Sequence, residues 1–537
     1  MKIQKQFLLG AEAIAQGAID GGMSGIYAYP GTPSTEITEY VQGSAQAIKQ
    51  NIHSQWSANE KTAMEAALGM SYAGKRTMVC MKHVGLNVAA DVFMNAAITG
   101  INGGMIITVA DDPSMHSSQN EQDSRYYGRF AQIPILEPSN QQEAYDMAYA
   151  GFELSEQLNV PIMMRITTRL SHSRAGVTNK MPKPENALHL PNDPHQFILL
   201  PAIARRQYHK LVESRKLFEQ SSENLGYNQL FDGQNKRLGI IACGLAFNYL
   251  MEHYPNGCDY PVLKLTQYPM PRKMIVELYN LCDELLVLED GYPMVEELMA
   301  GYCRTGKNIR GRLDGSLPRE GELNPDLVGK ALGLEVSLDD FVPDVVMKRP
   351  PSLCVGCGHR DAYDALNEAV QSFGYGRVFS DIGCYTLGAL APFEAINSCV
   401  DMGASITMAK GAADAGLIPA VAVIGDSTFT HSGMTGLLDA INEKSSITVI
   451  ISDNETTAMT GGQTSSGHNR IEAICQGLGV EPEHIRVMVP HRKNYEEMVR
   501  VMKEELAYPG VSVIIPRREC IQTLSRRKRA EAAGKSE

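Results

Sequence analysis

Two polar loops in the last third of the chain hold residue types that can bind a hard cation. Ile424-Gly425-Asp426-Ser427-Thr428-Phe429 and Ser452-Asp453-Asn454-Glu455-Thr456 each follow a short apolar run rich in β-branched residues, Pro419 to Ile424 and Ser446 to Ile451. Such runs read as buried strands ending at a loop. In open α/β sheets, ligands sit outside the carboxyl ends of the strands. A carboxylate from one loop and an amide from the other would give oxygens to one Mg²⁺ whose shell a phosphate completes. Asp and Asn also cap helices, and spacing alone leaves both readings open.

Cysteine supplies the second constellation. Cys354-Val355-Gly356-Cys357-Gly358-His359 contains a C-x-x-C, which has three meanings: half a zinc site, a redox dithiol, or part of an iron–sulfur site. Cys384 and Cys520 each lie just past a predicted strand, so three loops deliver four thiols to one sheet edge. That convergence favours a metal site, with Cys399 as a possible substitute ligand. Cys80, Cys243, Cys258, Cys282, Cys303 and Cys475 read as small core residues. Eleven thiols, an odd number in a large chain, argue against a disulfide framework.

Further candidates lie in the first third. Tyr29-Pro30-Gly31-Thr32-Pro33-Ser34-Thr35 is a loop running into a helix that Ser34 or Thr35 would cap. Glu60 begins the next helix, where a carboxylate suits the dipole. Lys82-His83 follows a strand. The polar run from Ser117 to Arg125 is too long for a plain turn, and Arg125 and Arg129 could hold a carboxylate bidentately; a solvated loop is the plainer reading.

These residues need strands to position them, and the pattern provides them. Near-continuous apolar strands at Gly25–Tyr29, Thr77–Met81, Met105–Ala110, Ile133–Leu136 and Pro161–Ile166 alternate with helices, the first spanning 7–20. This is the mark of a parallel sheet covered on both faces. A polar connector follows, then a smaller alternating unit, then a third unit from Ser352 whose strands end at the two loops above. The expected organisation is α/β: doubly wound domains over 1–185 and 352–520 flanking a smaller α/β domain over 200–345, with a frayed basic tail over 521–537. At 537 residues several cores are required. A net charge of −12 and a single Trp argue against nucleic-acid binding. No apolar run is long enough to span a bilayer, Glu12 interrupts a faint signal-like start, and the expected location is cytoplasmic.

Taken together, these stretches resemble the thiamine-diphosphate-dependent 2-oxoacid:ferredoxin oxidoreductases, and within them the large (alpha) subunits acting on indolepyruvate. The matching runs are Tyr29 to Ser34, Asn59-Glu60-Lys61, Lys82 to Asn87, Ser117 to Arg125, Cys354-x-x-Cys357-x-His359, Asp381 to Tyr385, Gly425-Asp426-Ser427 and Asp453-Asn454. The resemblance implies that the outer domains are the pyrimidine-type and diphosphate-type thiamine diphosphate domains, and that the smaller one is transketolase C-terminal-like. Asp426, Asn454 and the Thr456 carbonyl would hold Mg²⁺ against the diphosphate. Backbone N–H groups of Gly425, Ser427 and Thr428 would bind phosphate oxygens, with His359 and Tyr385 beside the cofactor. Glu60 would hydrogen-bond the aminopyrimidine, with Glu65 as fallback. Thr32, His83, Arg125 and Arg129 become candidates for the substrate's carboxylate and keto oxygen. Cys354, Cys357, Cys384 and Cys520 would ligate a [4Fe–4S] cluster. An aryl 2-oxo acid would be decarboxylated oxidatively to an acyl-CoA, coenzyme A taking the acyl group and ferredoxin the electrons. A small second (beta) subunit, in a dimer of heterodimers, completes the expectation.

Many relatives add a C-terminal ferredoxin-like extension with two further cysteine sets. Here no cysteine follows Cys520, so electrons are expected to leave a single cluster directly, with Arg517, Arg518 and the basic tail docking an acidic ferredoxin. The competing expectations are a non-oxidative thiamine-dependent decarboxylase with structural zinc, and an inert scaffold keeping only the zinc site.

Overall fold

The structure, a computed structural model, describes residues 5–193, 195–302, 306–336, 345–347 and 351–532. The chain forms two compact units, Met1–Phe341 and Val342–Glu537.

The first unit is built on a seven-stranded sheet in the order Gln267–Tyr268, Ile135–Leu136, Ile162–Thr167, Met105–Asp111, Thr77–Lys82, Gly25–Ala28 and His53–Trp56. All neighbours are parallel except Gln267–Tyr268, which runs antiparallel to Ile135–Leu136. Every residue of the three central strands is buried, as strands covered on both faces must be. A second sheet, of five strands, is centred on Leu238–Cys243 and Glu284–Leu288. The segment expected as a separate middle domain thus has its own sheet, yet it falls in the same compact unit and lends a strand to its neighbour.

Two local expectations change. The helix expected over 7–20 begins at Gly10, and Lys5–Leu9 is instead a strand paired with Arg174–Thr178. The exposed Phe7 shows why apolar content misled: this strand is an outer ribbon. His53–Trp56, a polar edge strand, carries no apolar run to announce it.

The second unit has a six-stranded sheet, all parallel, in the order Ser398–Cys399, Val378–Ser380, Ala420–Gly425, Ile447–Ser452, Val511–Pro516 and Ile485–Met488. The expected frayed tail is instead a helix, Ile521–Ala532. It is tied down where Arg526 donates to the Gly461 carbonyl at 2.6 Å and Arg527 pairs with Glu519 at 2.9 Å. Among the described residues no helix is long and apolar enough to cross a membrane.

Candidate active site

In the second unit the carboxyl ends of four neighbouring parallel strands present Asp381–Cys384, Asp426, Asp453–Asn454 and Arg517–Cys520 along one edge. Asp426 is not a helix cap. The cap position belongs to Gly425, and Asp426 stands inside the first turn of a helical stretch that runs on through a wide turn at Phe429–Gly433 to Asn442. Its side chain is buried, and Oδ2 has no hydrogen-bond partner. Burial first, then the neighbouring Asp453 carboxylate, push its pKa up to about 7. An orphaned buried carboxylate oxygen beside a second carboxylate fits a divalent cation.

The loop after Ile447–Ser452 closes on this helix, Thr457 Oγ1 donating to Ser427 Oγ at 3.0 Å. Asn454 Oδ1 accepts the Thr456 N–H at 3.2 Å, and its amide nitrogen stands 3.5 Å from His359 Nε2. Burial lowers the His359 pKa to about 4, so the ring is neutral and can accept there. His359 packs edge-on against Tyr385, ring centroids 6.4 Å apart. Tyr385 also explains Gly425: a Cβ there would lie 2.5 Å from the phenol ring. The Tyr385 hydroxyl donates to Asp381, a buried carboxyl raised to about 7 by burial against the opposing bonds from Ser405 and Tyr385. Asp381 supports Tyr385 from below, a role sequence reading missed; its place at the end of a strand was the available signal.

Cys354, Cys357, Cys384 and Cys520 line one cavity of about 130 Å³ together with His359 and Asn454. Cys399 lies outside it, exposed, with Sγ 3.8 Å from the Asp381 carbonyl, so it is no substitute ligand. Burial and the neighbouring thiols raise Cys357, and Cys384 to about 12. Unaided, these thiols are neutral; a bound metal would deprotonate them. Among the described residues no three His, Cys, Asp or Glu side chains group tightly enough to hold one ion. A four-iron cube sets its cysteine sulfurs farther apart than a single zinc does, so four thiols around one cavity suit a cluster better. The two sets of groups are joined: the Asn454 carbonyl accepts the Cys520 N–H at 3.1 Å, and the Asp453 carbonyl accepts that of Arg518 at 3.0 Å. Arg517, expected to dock a partner, is engaged by Asp453 and Glu472 at 2.6 Å each, and Arg518 by Asp361 at 3.2 Å. Both brace the loops from within. Of the other cysteines, Cys80, Cys243, Cys282 and Cys475 are buried, Cys258 is partly exposed, and Cys303 lies outside the described residues.

In the first unit Glu60 opens the helix Glu60–Tyr72 behind the Asn59 cap and is buried. Gly85 makes room for it: a Cβ there would meet the Glu60 carboxyl at 2.5 Å. Glu65 is exposed and paired with Lys61, so it is no alternative. His83 is buried, with Nε2 3.2 Å from both the Asn120 carbonyl and its side-chain oxygen, and Nδ1 without a partner. Lys82, lowered to about 8 by burial, donates to the Ser117 carbonyl at 2.8 Å. Ser117 Oγ reaches the Thr32 carbonyl at 3.5 Å, so the polar run is fastened to the strand ends rather than freely solvated. The Ser34 hydroxyl turns back to the Gly31 carbonyl at 2.7 Å instead of capping its helix.

The arginines do not follow expectation. Arg125 is wholly buried; it binds Asp123, the Tyr268 hydroxyl at 3.2 Å, the Tyr292 carbonyl at 2.9 Å and Glu289 at 3.0 Å. A guanidinium so enclosed has no donor left for a substrate. It clamps residues 123–137 to residues 268–292. Arg129 is exposed and lines a separate cavity, whose lining includes none of Thr32, Glu60 or His83.

Comparisons with known proteins agree with this layout. The family described as pyruvate flavodoxin/ferredoxin oxidoreductase, thiamine diphosphate-binding, matches residues 16–197, and the thiamine pyrophosphate enzyme C-terminal binding domain matches residues 381–515. The chain is 38% identical to the indolepyruvate oxidoreductase subunit IorA of Archaeoglobus fulgidus, covering 98% of this chain and 88% of that one. It is 39% identical to the IorA subunit of Methanothermobacter thermautotrophicus, covering 96% and 87%. A solved 2-oxoglutarate:ferredoxin oxidoreductase from Magnetococcus marinus, with 2-oxoglutarate, coenzyme A and succinyl-CoA bound, superposes with a TM-score of 0.50 at 16% identity, covering 61% of this chain and 65% of that one; at that identity the likeness speaks for the fold alone.

Proposed function

The chain belongs to the thiamine-diphosphate-dependent 2-oxoacid:ferredoxin oxidoreductase family, and from that premise we propose that it decarboxylates an aryl 2-oxo acid of the indolepyruvate type oxidatively, giving an acyl-CoA and passing electrons through a [4Fe–4S] cluster to ferredoxin. When bound, the thiamine cofactor supplies the carbon nucleophile and electron sink, and the cluster takes electrons one at a time.

The chain's own residues do the rest. Asp426, through its unpartnered Oδ2, and Asn454 hold Mg²⁺, with the Thr456 carbonyl completing the protein's share. The backbone N–H groups of Ser427 and Thr428, at the start of the helical stretch, receive phosphate oxygens. Glu60, buried at the start of its helix, hydrogen-bonds a ring nitrogen of the aminopyrimidine. Thr32 and His83, on neighbouring strand ends fastened by Ser117 and Asn120, orient the substrate's carboxylate and keto oxygen; the free Nδ1 of His83 is the atom offered. Cys354, Cys357, Cys384 and Cys520 ligate the cluster. Lys528 and Arg529, exposed on the helix that begins at the cluster cavity, draw in an acidic ferredoxin. The relatives' names, each a subunit of an indolepyruvate oxidoreductase, support a partner subunit.

The observation that supports this reading most is the Asn454 carbonyl on the Cys520 N–H, which ties a cation-binding loop to a four-thiol cavity. Anaerobic purification followed by iron and sulfide counts tests it. Four irons and four sulfides per chain, with a broad visible absorption that reductant bleaches, are expected; a colourless protein with one zinc would sink it. Glu60→Gln should abolish turnover while leaving cofactor affinity largely intact.

A further inference from the structure

We propose that the first unit holds a second small-molecule site, for a monocarboxylate with one aromatic ring system, in a cavity beneath the helix Pro201–Asn224. The cavity measures about 290 Å³. Its walls include Phe218, Tyr268, Met270 and Met294, all at most 3% exposed. The Tyr268 hydroxyl is occupied, donating to Glu137 at 2.7 Å, so the tyrosine contributes ring rather than polar surface. Methionine sulfurs beside aromatic rings make an adaptable surface that favours another ring.

Arg129 and Arg215 also line the cavity, and both are exposed. Among the described residues neither guanidinium has an ion-pair or hydrogen-bond partner. In a chain with 61 acidic and 49 basic residues, two arginines at one cavity left without a carboxylate are matched to an anion from outside. Planar guanidinium suits a carboxylate bidentately, and the Gln132 amide beside them adds a polar contact. Volume restricts the class. The cavity is at the small end of the usual range of roughly 300–1,000 Å³ for ligand pockets, enough for one ring system and a short acid tail but not for a nucleotide or coenzyme A. The inference stands apart from the reaction assigned above, since none of its residues serves there.

The test is calorimetric titration of the enzyme as isolated, with any subunit that copurifies, using indole-3-acetate as probe. It carries the ring and the acid but no keto group. One saturable site per chain is expected, weakened roughly tenfold by Arg129→Gln and likewise by Arg215→Gln. Replacing the probe's acid by the neutral amide should weaken it comparably. Thiamine diphosphate and a 2-oxo acid should not displace it. Neither arginine makes a contact the fold relies on, so the variants remain comparable with the parent. Absent binding, affinity unchanged from the parent in both variants, or displacement by the 2-oxo acid would each overturn the proposal. So would hydrogen-exchange protection of 208–218 by a copurifying subunit with no further protection from the probe, which would make this face a protein interface.

Discussion

Arg125 in the first unit and Asp426 in the second are both charged groups enclosed at the carboxyl edge of a parallel sheet, yet their surroundings differ in kind. Around Arg125 stand Asp123, Glu137 and Glu289, with the Tyr292 carbonyl and Tyr268 hydroxyl taking further donors. Arg165, next to it, binds Asp111 at 2.8 Å and Glu137 at 2.5 Å. Asp111 Oδ1 and Asp290 Oδ2 also lack hydrogen bonds, but both residues face Arg165. Asp426 faces another carboxylate instead and keeps an oxygen unpaired. A buried charge whose partners all come from the chain holds the fold together. A buried carboxylate that faces a second carboxylate and keeps an oxygen unpartnered has instead the chemistry of a cation ligand.

The sharpest way to break this contrast is to exchange the expected consequences. Arg125→Met removes the guanidinium that bridges Asp123 and Glu289 and should cost about 3–5 kcal/mol in urea unfolding, while cofactor affinity of the folded protein stays the same. A variant of normal stability with a sharply raised substrate KM would return Arg125 to the reaction. Asp426→Asn should do the reverse. Mg²⁺-dependent binding of thiamine diphosphate should fall by more than the roughly 100-fold that loss of a metal ligand's own hydrogen-bond partner costs, with cofactor-free stability unchanged or improved. Unaltered affinity would remove Asp426 from the cation site.

Two further effects sharpen the comparison. Gly85→Ala places a methyl against the Glu60 carboxyl and should slow turnover roughly tenfold, about 1.4 kcal/mol of barrier, with thiamine affinity retained. An equal loss in both would mean that helix, not Glu60 alone, had moved. The arginine cluster also has a pH signature. Burial raises Glu289 to about 7 and Asp290 to about 6 despite the nearby arginines. Because the folded values lie above the unfolded ones, their contribution is complete below the ordinary carboxylate range and is lost as pH rises through about 7. Unfolding free energy should therefore decline between about pH 5 and about pH 8, by roughly 4 kcal/mol if both groups titrate as stated. Glu289→Gln should flatten that decline; an identical slope would place the titration elsewhere.

What could be read in advance follows from how locally each feature is encoded. The strands Met105–Asp111 and Ile447–Ser452 are unbroken apolar runs because both faces are covered, and they stand out unaided. Glu60, Asp426 and the four cysteines were legible as residue types at strand ends and within short matching runs. Arg125 was not, because Tyr268, Glu289 and Tyr292 lie far along the chain and no local pattern records their approach. The strand Lys5–Leu9 misled for the opposite reason, since its composition continues smoothly into the helix after it. The helix Ile521–Ala532 reads as a tail in the sequence because its basic residues find Gly461 and Glu519 only in the fold.

The two-residue strand Gln267–Tyr268, at the border of the first sheet, also imposes an order on biosynthesis. When residues 5–178 leave the ribosome, Ile135–Leu136 is an open border, and Arg125 has Asp123 and Glu137 nearby but lacks Tyr268, Glu289 and Tyr292. The sheet is sealed, and that guanidinium fully enclosed, only after the ribosome has moved through codon 292. Until then the nascent chain displays an unpaired strand beside an incompletely enclosed guanidinium, an open border prone to wrong pairing.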